Sequence, residues 1–328
     1  MIRLQRYLLP VIIAGVACAD LVISGPIAGY VTDSSGAQLR TIVGVPGAFA
    51  FSEPLPLPEG VTQVRLAPGQ DFALVEQANG TPAILLLKGG AVDRLAPIDG
   101  AMPSADWIAF SPGAGAALLF SAAANRLQVL NGLPDAPRVA LDLDGATLAE
   151  QPTLGAVSDD GSLVLVASAT SVYRVPRGGA AQLVLSTGGV QSLTVLRNGA
   201  DAAVSDATTG SIHLVRNAAS NPAVRVLASG LDGIGAIFPS WDGQSVFVAR
   251  PGAAAVSSID LVSGEVQSFA SPAAPVGLMP LRNRDTFLIS AQTHQAGWVF
   301  FRDGMGSRVV FIPAAKAARE IPVRGGVR

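Results

Sequence analysis

The feature that most constrains the fold is a module that recurs about every 43 residues from Val61 onward. Each copy has an apolar stretch, a short turn rich in Gly, Asp, Asn or Pro, and a second apolar stretch that ends in small residues. The turns are centred on Pro68-Gly69, Pro112-Gly113, Asp160-Gly161, Asn198-Gly199, Asp242-Gly243 and Asn283-Arg284, at separations of 44, 48, 38, 44 and 41 residues. A fixed period of this length is typical of repeat architectures, so similar units must pack side by side.

Each unit has the residues of four short β-strands. Asp-Gly and Asn-Gly dipeptides accept the positive φ of tight hairpins, so the turn at the centre of a module joins two strands. Two further apolar runs follow, for example Arg126 to Leu130 and Arg138 to Leu143 in the second copy. Four-stranded repeats of about 40 to 45 residues are typical of propeller blades. The sequence therefore predicts an all-β fold, a β-propeller of four-stranded antiparallel blades.

Six copies cover Val61 to Pro313, and the segment before them supplies most of another blade. Ile27 to Asp33, Leu39 to Gly44 and Ala48 to Ser52 predict three strands, which would leave unpaired edges if they were excluded from the ring. We therefore predict seven blades rather than six, within one domain over residues 20–313. The 36 glycines and 23 prolines disfavour long helices, and Ala314 to Glu320 is the one helix candidate.

Two repeats resemble a known family of bacterial propellers. The runs Ser158 to Ala167 and Ser240 to Ala249 are similar to the S-x-D-G-x-x-φ-φ-V-A segment of YVTN/TolB-type repeats, which are WD40-like. The run Val256 to Val266 resembles the strand and Ser-Gly turn that follow that segment. The resemblance implies an exported propeller. It leaves the function open, because these motifs specify blades and not chemistry.

The N-terminus has the pattern of a secretory signal peptide over residues 1–19. Arg3 and Arg6 precede an uncharged run to Ala19, too short for an ordinary transmembrane helix. Ala17-Cys18-Ala19 fits a cleavage site, whereas residues 14–18 resemble a loose lipobox in which Cys18 would carry a lipid anchor. Either outcome predicts a periplasmic or extracellular protein whose mature chain has no membrane span. Cys18 is the single cysteine, so the mature domain would have no disulfide.

Charge and composition exclude some partners. Removal of Arg3 and Arg6 leaves 20 basic against 24 acidic residues, so no overall basic surface recruits nucleic acid. Lys316, Arg319, Arg324 and Arg328 form a small basic tail over residues 314–328. We expect a monomer that binds an unidentified protein or polymer.

Residues with catalytic or metal-binding chemistry are sparse. His213 and His294 lie in different repeats, and the segment from Asp142 to Glu150 matches only part of a calcium loop. We therefore predict no cofactor, with a divalent cation at the propeller axis as the alternative. Trp107, Trp241 and Trp298 would either stack on a sugar or pack between blades.

The candidate binding site is the axial mouth formed by the loops that precede the first strand of each repeat. These loops contribute Glu59, Asp99, Asp106, Glu150, Gln151, Gln191 and Asp232, which could gather around a cation or a polyhydroxyl ligand. Because nucleophiles and bases are scarce, the favoured hypothesis is a non-enzymatic binding or scaffold module for a protein or polymer. The alternative is a metal-dependent hydrolase or lactonase-like enzyme with its site at the axis.

Overall fold

In a computed structural model, residues 25–290, 296–304 and 306–314 form seven antiparallel sheets arranged in a ring. The protein is thus a seven-bladed β-propeller, as the repeats predict. The segments assigned to the signal peptide and the basic tail, and His294, lie outside the described residues, as does the helix candidate beyond Ala314. Within the described ranges, no helix has the length and hydropathy needed to cross a bilayer.

The strands follow the predicted repeats closely. Blade 1 contains β1 (Ile27–Thr32), β2 (Leu39–Val43) and β3 (Ala50–Phe51). Blade 2 contains β4 (Val61–Leu66), β5 (Phe72–Gln77), β6 (Pro82–Lys88) and β7 (Ala91–Pro97). Blade 3 contains β8 (Trp107–Phe110), β9 (Ala116–Ser121), β10 (Arg126–Asn131) and β11 (Arg138–Asp144). Blade 4 contains β12 (Leu154–Val157), β13 (Val164–Ala167), β14 (Ser171–Arg174) and β15 (Gln182–Ser186).

The remaining three blades repeat the same pattern. Blade 5 contains β16 (Val190–Val195), β17 (Ala202–Asp206), β18 (Ser211–Arg216) and β19 (Ala223–Ala228). Blade 6 contains β20 (Ile237–Pro239), β21 (Ser245–Arg250), β22 (Ala255–Asp260) and β23 (Val266–Ala270). Blade 7 contains β24 (Met279–Pro280), β25 (Thr286–Leu288), β26 (Gly297–Asp303) and β27 (Gly306–Ile312). The described helical segments are two single 3-10 turns, Gly145–Thr147 and Pro251–Ala253.

Within each sheet the strands are hydrogen-bonded in the order of the chain. The first strands of neighbouring blades contact each other, as β12 does with β8 and β16, so they form the inner wall of the ring. The second strands are almost completely buried, whereas outer strands such as β19 are mostly exposed. In blades 2 to 7 the hairpin turns between first and second strands consequently lie at one end of the ring, which we call the turn end.

The hydrophobic core is divided among the gaps between blades. Seven apolar clusters are present in the described residues, one for each pair of neighbouring blades, including the pair formed by blades 7 and 1. Small residues permit the close approach of the blades. A Cβ on Gly155 in β12 would lie 2.6 Å from side-chain atoms of Leu118 and Trp107 in blade 3. Burial of each large apolar side chain contributes about 1.5–3 kcal/mol, so these clusters stabilise the ring.

Blade 1 has three strands in the described residues, and a side chain bonds to the inner edge of β1. The side-chain oxygen of Gln70 accepts a hydrogen bond from the Tyr30 N–H at 2.7 Å. Its Nε2 donates to the carbonyl oxygens of Tyr30 and Pro280 at 3.0 and 2.8 Å. Because Gln70 belongs to blade 2, this buried amide joins blades 1, 2 and 7. The Arg282 N–H also donates to the Ala28 carbonyl at 3.0 Å, so blade 7 contacts blade 1 directly.

Candidate binding site

The S-x-D-G motif explains the shape of the turn end. In blade 6 the Asp242 carboxylate accepts hydrogen bonds from the Ser240 hydroxyl at 2.6 Å and the Gln244 N–H at 2.9 Å. Gly243 then takes a φ of 69°, which suits glycine. Burial raises the pKa of Asp242, but these hydrogen bonds and the charge of Arg302 outweigh it and lower that pKa below its usual value. The turn is therefore rigid, and it directs the preceding residue, Trp241, outward.

Turns from five blades enclose a cavity of about 440 Å³ at this end, which we call the cationic mouth. Blades 2 and 3 contribute mainly glycine and proline, and blades 5, 6 and 7 contribute arginine and aromatic side chains. The lining residues are Pro68, Gly69, Asp71, Pro112, Gly113, Arg197, Phe238, Pro239, Trp241, Pro280, Leu281, Arg282, Asn283, Arg284, Asp285, Thr286 and Phe287.

Trp241 lies beside two guanidinium groups in this mouth. The Arg197 and Arg284 guanidinium carbons are 4.6 and 4.9 Å from the centroid of its ring, within the range of cation–π attraction. The Trp241 side chain is still 49% exposed, so the ring also faces the cavity. The two guanidinium carbons are therefore at most 9.5 Å apart, the sum of those two distances. That is within about one Debye length at physiological salt, so their repulsion favours binding of an anion.

Arg197 is the more constrained of the two cations. Its Nε donates to the Ser240 carbonyl at 3.0 Å, which connects blade 5 to blade 6. Burial lowers the pKa of Arg197, while the negative charges of Asp159 and Asp285 oppose that effect. An arginine nevertheless remains protonated at any physiological pH. Neither carboxylate forms an ion pair with Arg197 among the described residues, so an anionic ligand that contacts the guanidinium group would gain free energy by pairing with it.

Asp285 fixes the position of Trp241 from blade 7. Its Oδ1 accepts a hydrogen bond from the backbone N–H of Trp241 at 2.7 Å, and its Oδ2 forms an ion pair with the Arg302 guanidinium group at 2.8 Å. Arg302 also lies over the Phe247 ring at 4.7 Å and reaches Asp242 at 3.5 Å. The aromatic side of the mouth thus rests on a network that spans blades 6 and 7.

The charge of the mouth is predominantly positive. Arg197, Arg282 and Arg284 line it, and none of them forms an ion pair with any residue in the described ranges. Two carboxylates also line it, Asp71 and Asp285, and Asp285 is already paired with Arg302. Asp159 accepts a hydrogen bond from the N–H of the lining residue Gly113 and offsets part of the charge of Arg197, which leaves the arginines in excess. The arrangement can therefore bind a carboxylate or phosphate group, for which guanidinium groups are well suited.

An apolar cavity of about 600 Å³ adjoins the mouth along the inner strands. Pro68, Phe238 and Pro280 line both cavities, so the two spaces are neighbours. The other lining residues are Ser34, Leu66, Ala67, Phe110, Val276, Gly277, Leu278, Met279, Leu288 and Ser290. Together with Pro68, Phe238 and Pro280 they come from blades 1, 2, 3, 6 and 7, the side of the ring on which blade 1 has only three described strands.

The seven residues predicted from the sequence lie at the other end of the ring. Glu59, Asp99, Asp106, Glu150, Gln151 and Asp232 are in the connections to first strands, and Gln191 is near the start of β16. All seven are exposed, none lines either cavity, and no hydrogen bond between described residues joins any two of them.

Two of these acids have local hydrogen-bond partners. Asp106 accepts the Ala122 N–H at 2.5 Å, and Glu150 accepts the Tyr173 hydroxyl at 2.9 Å. Hydrogen bonds from Ser168 and Tyr173 lower the pKa of Glu150.

The other candidate ligands are dispersed as well. Among the described side chains, no group of three or more His, Cys, Asp or Glu residues is arranged to hold a metal ion. In the partial calcium loop, Asp142 is hydrogen-bonded to Arg126 and Asp144 accepts the Ala146 N–H at 2.9 Å. His213 lies in β18, its Nε2 is buried without a hydrogen-bond partner, and burial lowers its pKa despite the charge of Asp206.

Two of the three tryptophans pack within the protein. Trp107 stacks on Phe120 at a centroid distance of 5.5 Å, and Trp298 contacts Phe311 at 5.0 Å. Trp241 alone of the three lies at a cavity mouth. Arg197 and Arg284 were not among the residues predicted from the sequence. Alignment of the six turns supplies a usable signal for Arg197, because equivalent positions hold Pro68, Pro112, Asp159, Arg197, Trp241 and Arg282. Arg284 lies two residues further on and is not at that position.

The fold and these cavities define a seven-bladed β-propeller with a cationic mouth and an apolar axial cavity. Comparison with solved structures finds similar architecture at low sequence identity. A functionally unknown protein from Desulfotomaculum acetoxidans DSM 771 aligns with a TM-score of 0.58 and 18% identity, over 87% of this chain and 94% of its own. A protein from Lactobacillus plantarum aligns with a TM-score of 0.57 and 13% identity, over 88% and 96%. At these identities the likeness shows the fold alone.

A third structure is described as a proposed 6-phosphogluconolactonase from Bacteroides uniformis ATCC 8492. It has 16% identity over 75% of this chain and 83% of its own, and its TM-score of 0.48 is too low to support an argument about activity. No protein-family model matches the chain. No curated protein matches it either.

Proposed function

We propose that this protein is a non-enzymatic binding module that holds an anionic segment of a protein or polymer in the cationic mouth. The observation that carries the proposal is the pair of guanidinium groups, Arg197 and Arg284, beside the half-exposed ring of Trp241. A carboxylate or phosphate at this position would pair with both cations, and the ring would cover an apolar part of the ligand.

A direct test uses poly-L-glutamate as the probe and the fluorescence of Trp241 as the readout. We expect saturable binding that weakens as salt is raised, because exposed charges are screened, and no comparable binding of poly-L-lysine. The double variant Arg197→Gln, Arg284→Gln should lower the affinity at least about tenfold, the equivalent of about 1.4 kcal/mol. The matched control is Arg94→Gln, since Arg94 is exposed on β7 and lines neither cavity. Equal affinity in the double variant and the control would contradict the proposal.

The metal-dependent hydrolase or lactonase is the less favoured alternative. That activity would need acids from different blades to converge at the axis. In the described residues those acids are exposed in separate connections and form no group of three potential ligands. The cavity that does form is lined mainly by arginine, proline and aromatic side chains.

We further propose that the protein acts outside the cytoplasm as a monomer and does not bind nucleic acid. The support is the sequence pattern of residues 1–19 and the small net charge of −2. Mass spectrometry of the protein purified from its host tests the processing. An unmodified N-terminus at Asp20 is expected, whereas a diacylated Cys18 would establish the lipid-anchored alternative.

A further inference from the structure

The cationic mouth and the apolar cavity lie next to each other, so one ligand can reach both. Pro68, Phe238 and Pro280 contribute to the lining of each space. The apolar space has a volume of about 600 Å³, and the mouth adds about 440 Å³. Each volume is within the range of small-molecule sites in proteins, about 300–1,000 Å³. A ligand that fills both must be charged at one end and apolar along the rest.

The lining of the apolar cavity indicates what kind of chain it accepts. Ser34 and Ser290 are its only side chains with a hydrogen-bonding hydroxyl group; the remaining lining side chains are aliphatic, aromatic or proline, together with one glycine and the Met279 thioether. A peptide would bring N–H and C=O groups into this space at regular intervals, and each would need a partner. An alkyl chain brings no polar group, so it matches this surface better.

The mouth indicates the charge and shape of the other end. Arg197 is half-buried, and its guanidinium group and that of Arg284 lie within 5 Å of the Trp241 centroid. A guanidinium group recognises the two oxygens of a carboxylate through parallel hydrogen bonds. The methylene group next to a carboxylate would contact the ring of Trp241.

We infer that the two cavities form one site for a long-chain carboxylate, with the carboxylate at Arg197 and Arg284 and the alkyl chain along the inner strands toward Gly277. This inference rests on the proposed function, because it assigns a ligand class to the same mouth. It goes further by giving the apolar cavity a role, which a purely anionic polymer would not require.

The test compares ligands on the full-length protein by calorimetry, below the micelle-forming concentration. Dodecanoate is the probe, butanoate has the same head without the tail, and dodecyltrimethylammonium has the tail with the opposite charge. We expect dodecanoate to bind at least about a hundredfold more tightly than butanoate, because each buried methylene group adds affinity. Equal affinities of dodecanoate and butanoate, or tighter binding of dodecyltrimethylammonium, would overturn the inference.

Separate variants test the two ends of the site. Arg197→Gln with Arg284→Gln should weaken dodecanoate binding at least about tenfold, and Arg94→Gln should leave it unchanged. Gly277→Phe should also weaken dodecanoate binding but leave the binding of poly-L-glutamate unchanged. A Cβ at Gly277 meets no atom within 4 Å and φ is not in the left-handed region, so a side chain can be attached there without backbone strain, and its ring would occupy space beside the cavity lining. Unchanged dodecanoate affinity in folded Gly277→Phe would contradict the assignment of the tail.

Bromine quenching of tryptophan fluorescence gives the orientation of the bound dodecanoate without a substitution in the cavity. Quenching by 2-bromododecanoate should exceed quenching by 12-bromododecanoate, and Trp241→Phe should abolish the difference. The reverse order would place the tail at the mouth and overturn the inference.

If poly-L-glutamate binds through the arginines but dodecanoate does not, the proposed function stands and this inference fails. If dodecanoate binds and poly-L-glutamate does not, the polymer-binding function fails instead.

Discussion

The side-chain amide of Gln70 forms hydrogen bonds with both the N–H and the carbonyl oxygen of Tyr30, as a neighbouring strand would. Its Nε2 also donates to the Pro280 carbonyl, so one amide holds three blades together where blade 1 has no fourth described strand. Gln70 is completely buried and has a φ of 54°. A non-glycine residue keeps such a conformation only when its surroundings stabilise it, which these three hydrogen bonds do.

The substitution Gln70→Ala should therefore destabilise the ring. It leaves the Tyr30 N–H and carbonyl and the Pro280 carbonyl without their partner, and a buried unsatisfied group costs about 1–3 kcal/mol. We expect the free energy of unfolding in urea to fall by at least about 2 kcal/mol. Gln151→Ala, at an exposed position in a connection, is the control and should change stability by less than about 0.5 kcal/mol. Similar urea unfolding curves for Gln70→Ala and Gln151→Ala would show that the side-chain amide of Gln70 does not hold the blades together.

A second prediction concerns the contact between blades 3 and 4. A Cβ at Gly155 would lie 2.6 Å from Leu118 Cδ2 and from the far edge of the Trp107 ring. Gly155→Ala should therefore separate the two blades and cost about 1–3 kcal/mol. Differential scanning calorimetry should record a lower melting temperature. Gly304→Ala is the control, because nothing lies within 4 Å of its Cβ position. A melting temperature for Gly155→Ala equal to that of the control would show that the blades can adjust.

A third prediction links acid stability to Asp206 in blade 5. This buried carboxylate accepts hydrogen bonds from the Gly188 and Thr208 N–H groups at 3.2 and 3.0 Å and from the Thr209 hydroxyl at 2.8 Å. Burial raises the pKa of Asp206, but these hydrogen bonds outweigh it and lower that pKa below its usual value. The unfolded state therefore takes up a proton first as the pH falls, at about 3.9.

The stability that Asp206 contributes is accordingly present above about pH 4 and is lost as the pH falls through the lower pKa of the folded state. Asp206→Asn should unfold more readily at neutral pH and show a flatter decline of stability between about pH 5 and 2. Urea titrations at several pH values measure both effects. Asp232→Asn, at an exposed position, serves as the control. Parallel pH profiles for Asp206→Asn and the unmodified protein would refute this assignment.

The fourth prediction separates the two bonds that Asp285 makes. Asp285→Asn retains an oxygen for the Trp241 N–H but loses the charge that pairs with Arg302, whereas Asp285→Ala loses both. We expect both variants to lose about 1–3 kcal/mol of stability, because Arg302 is only 25% exposed and would keep only the longer ion pair with Asp242 at 3.5 Å.

The emission of Trp241 should shift clearly only in Asp285→Ala, since that variant alone frees the backbone of the turn. Subtracting the spectrum of the matching Trp241→Phe variant removes the contributions of Trp107 and Trp298. Equal emission shifts in the two Asp285 variants would show that the ion pair, and not the backbone hydrogen bond, positions the ring.

Most of the fold follows from local patterns in the sequence. The six turn centres and the three strands before Val61 were enough to predict seven blades, because each hairpin is specified by its own turn residues and alternation of side chains. The closing contact was not predictable in this way. Gln70 bonds to residues 40 and 210 positions away in the sequence, and a single amide at a turn gives no periodic signal.

The cationic mouth was missed for a related physical reason. The carboxylates that suggest a site in the sequence lie in the loops before each first strand, whereas the Asp-Gly and Asn-Gly dipeptides indicate only turns. Arg197 and Trp241 are 44 residues apart, yet the ring places their side chains in contact because they occupy the same position in neighbouring turns. The chemistry arises between units, so a search within each unit does not find it.

The way in which Gln70 closes the ring has a consequence for how a chain of this kind could gain or lose a whole blade. Among the described residues, every hydrogen-bonded ladder is made within one contiguous stretch of chain, and none combines a strand from each terminus. Duplication or deletion of one whole stretch would therefore leave all other ladders intact. The number of blades would then depend on how many such units fill a full turn, with the Gln70 amide again meeting the edge of β1.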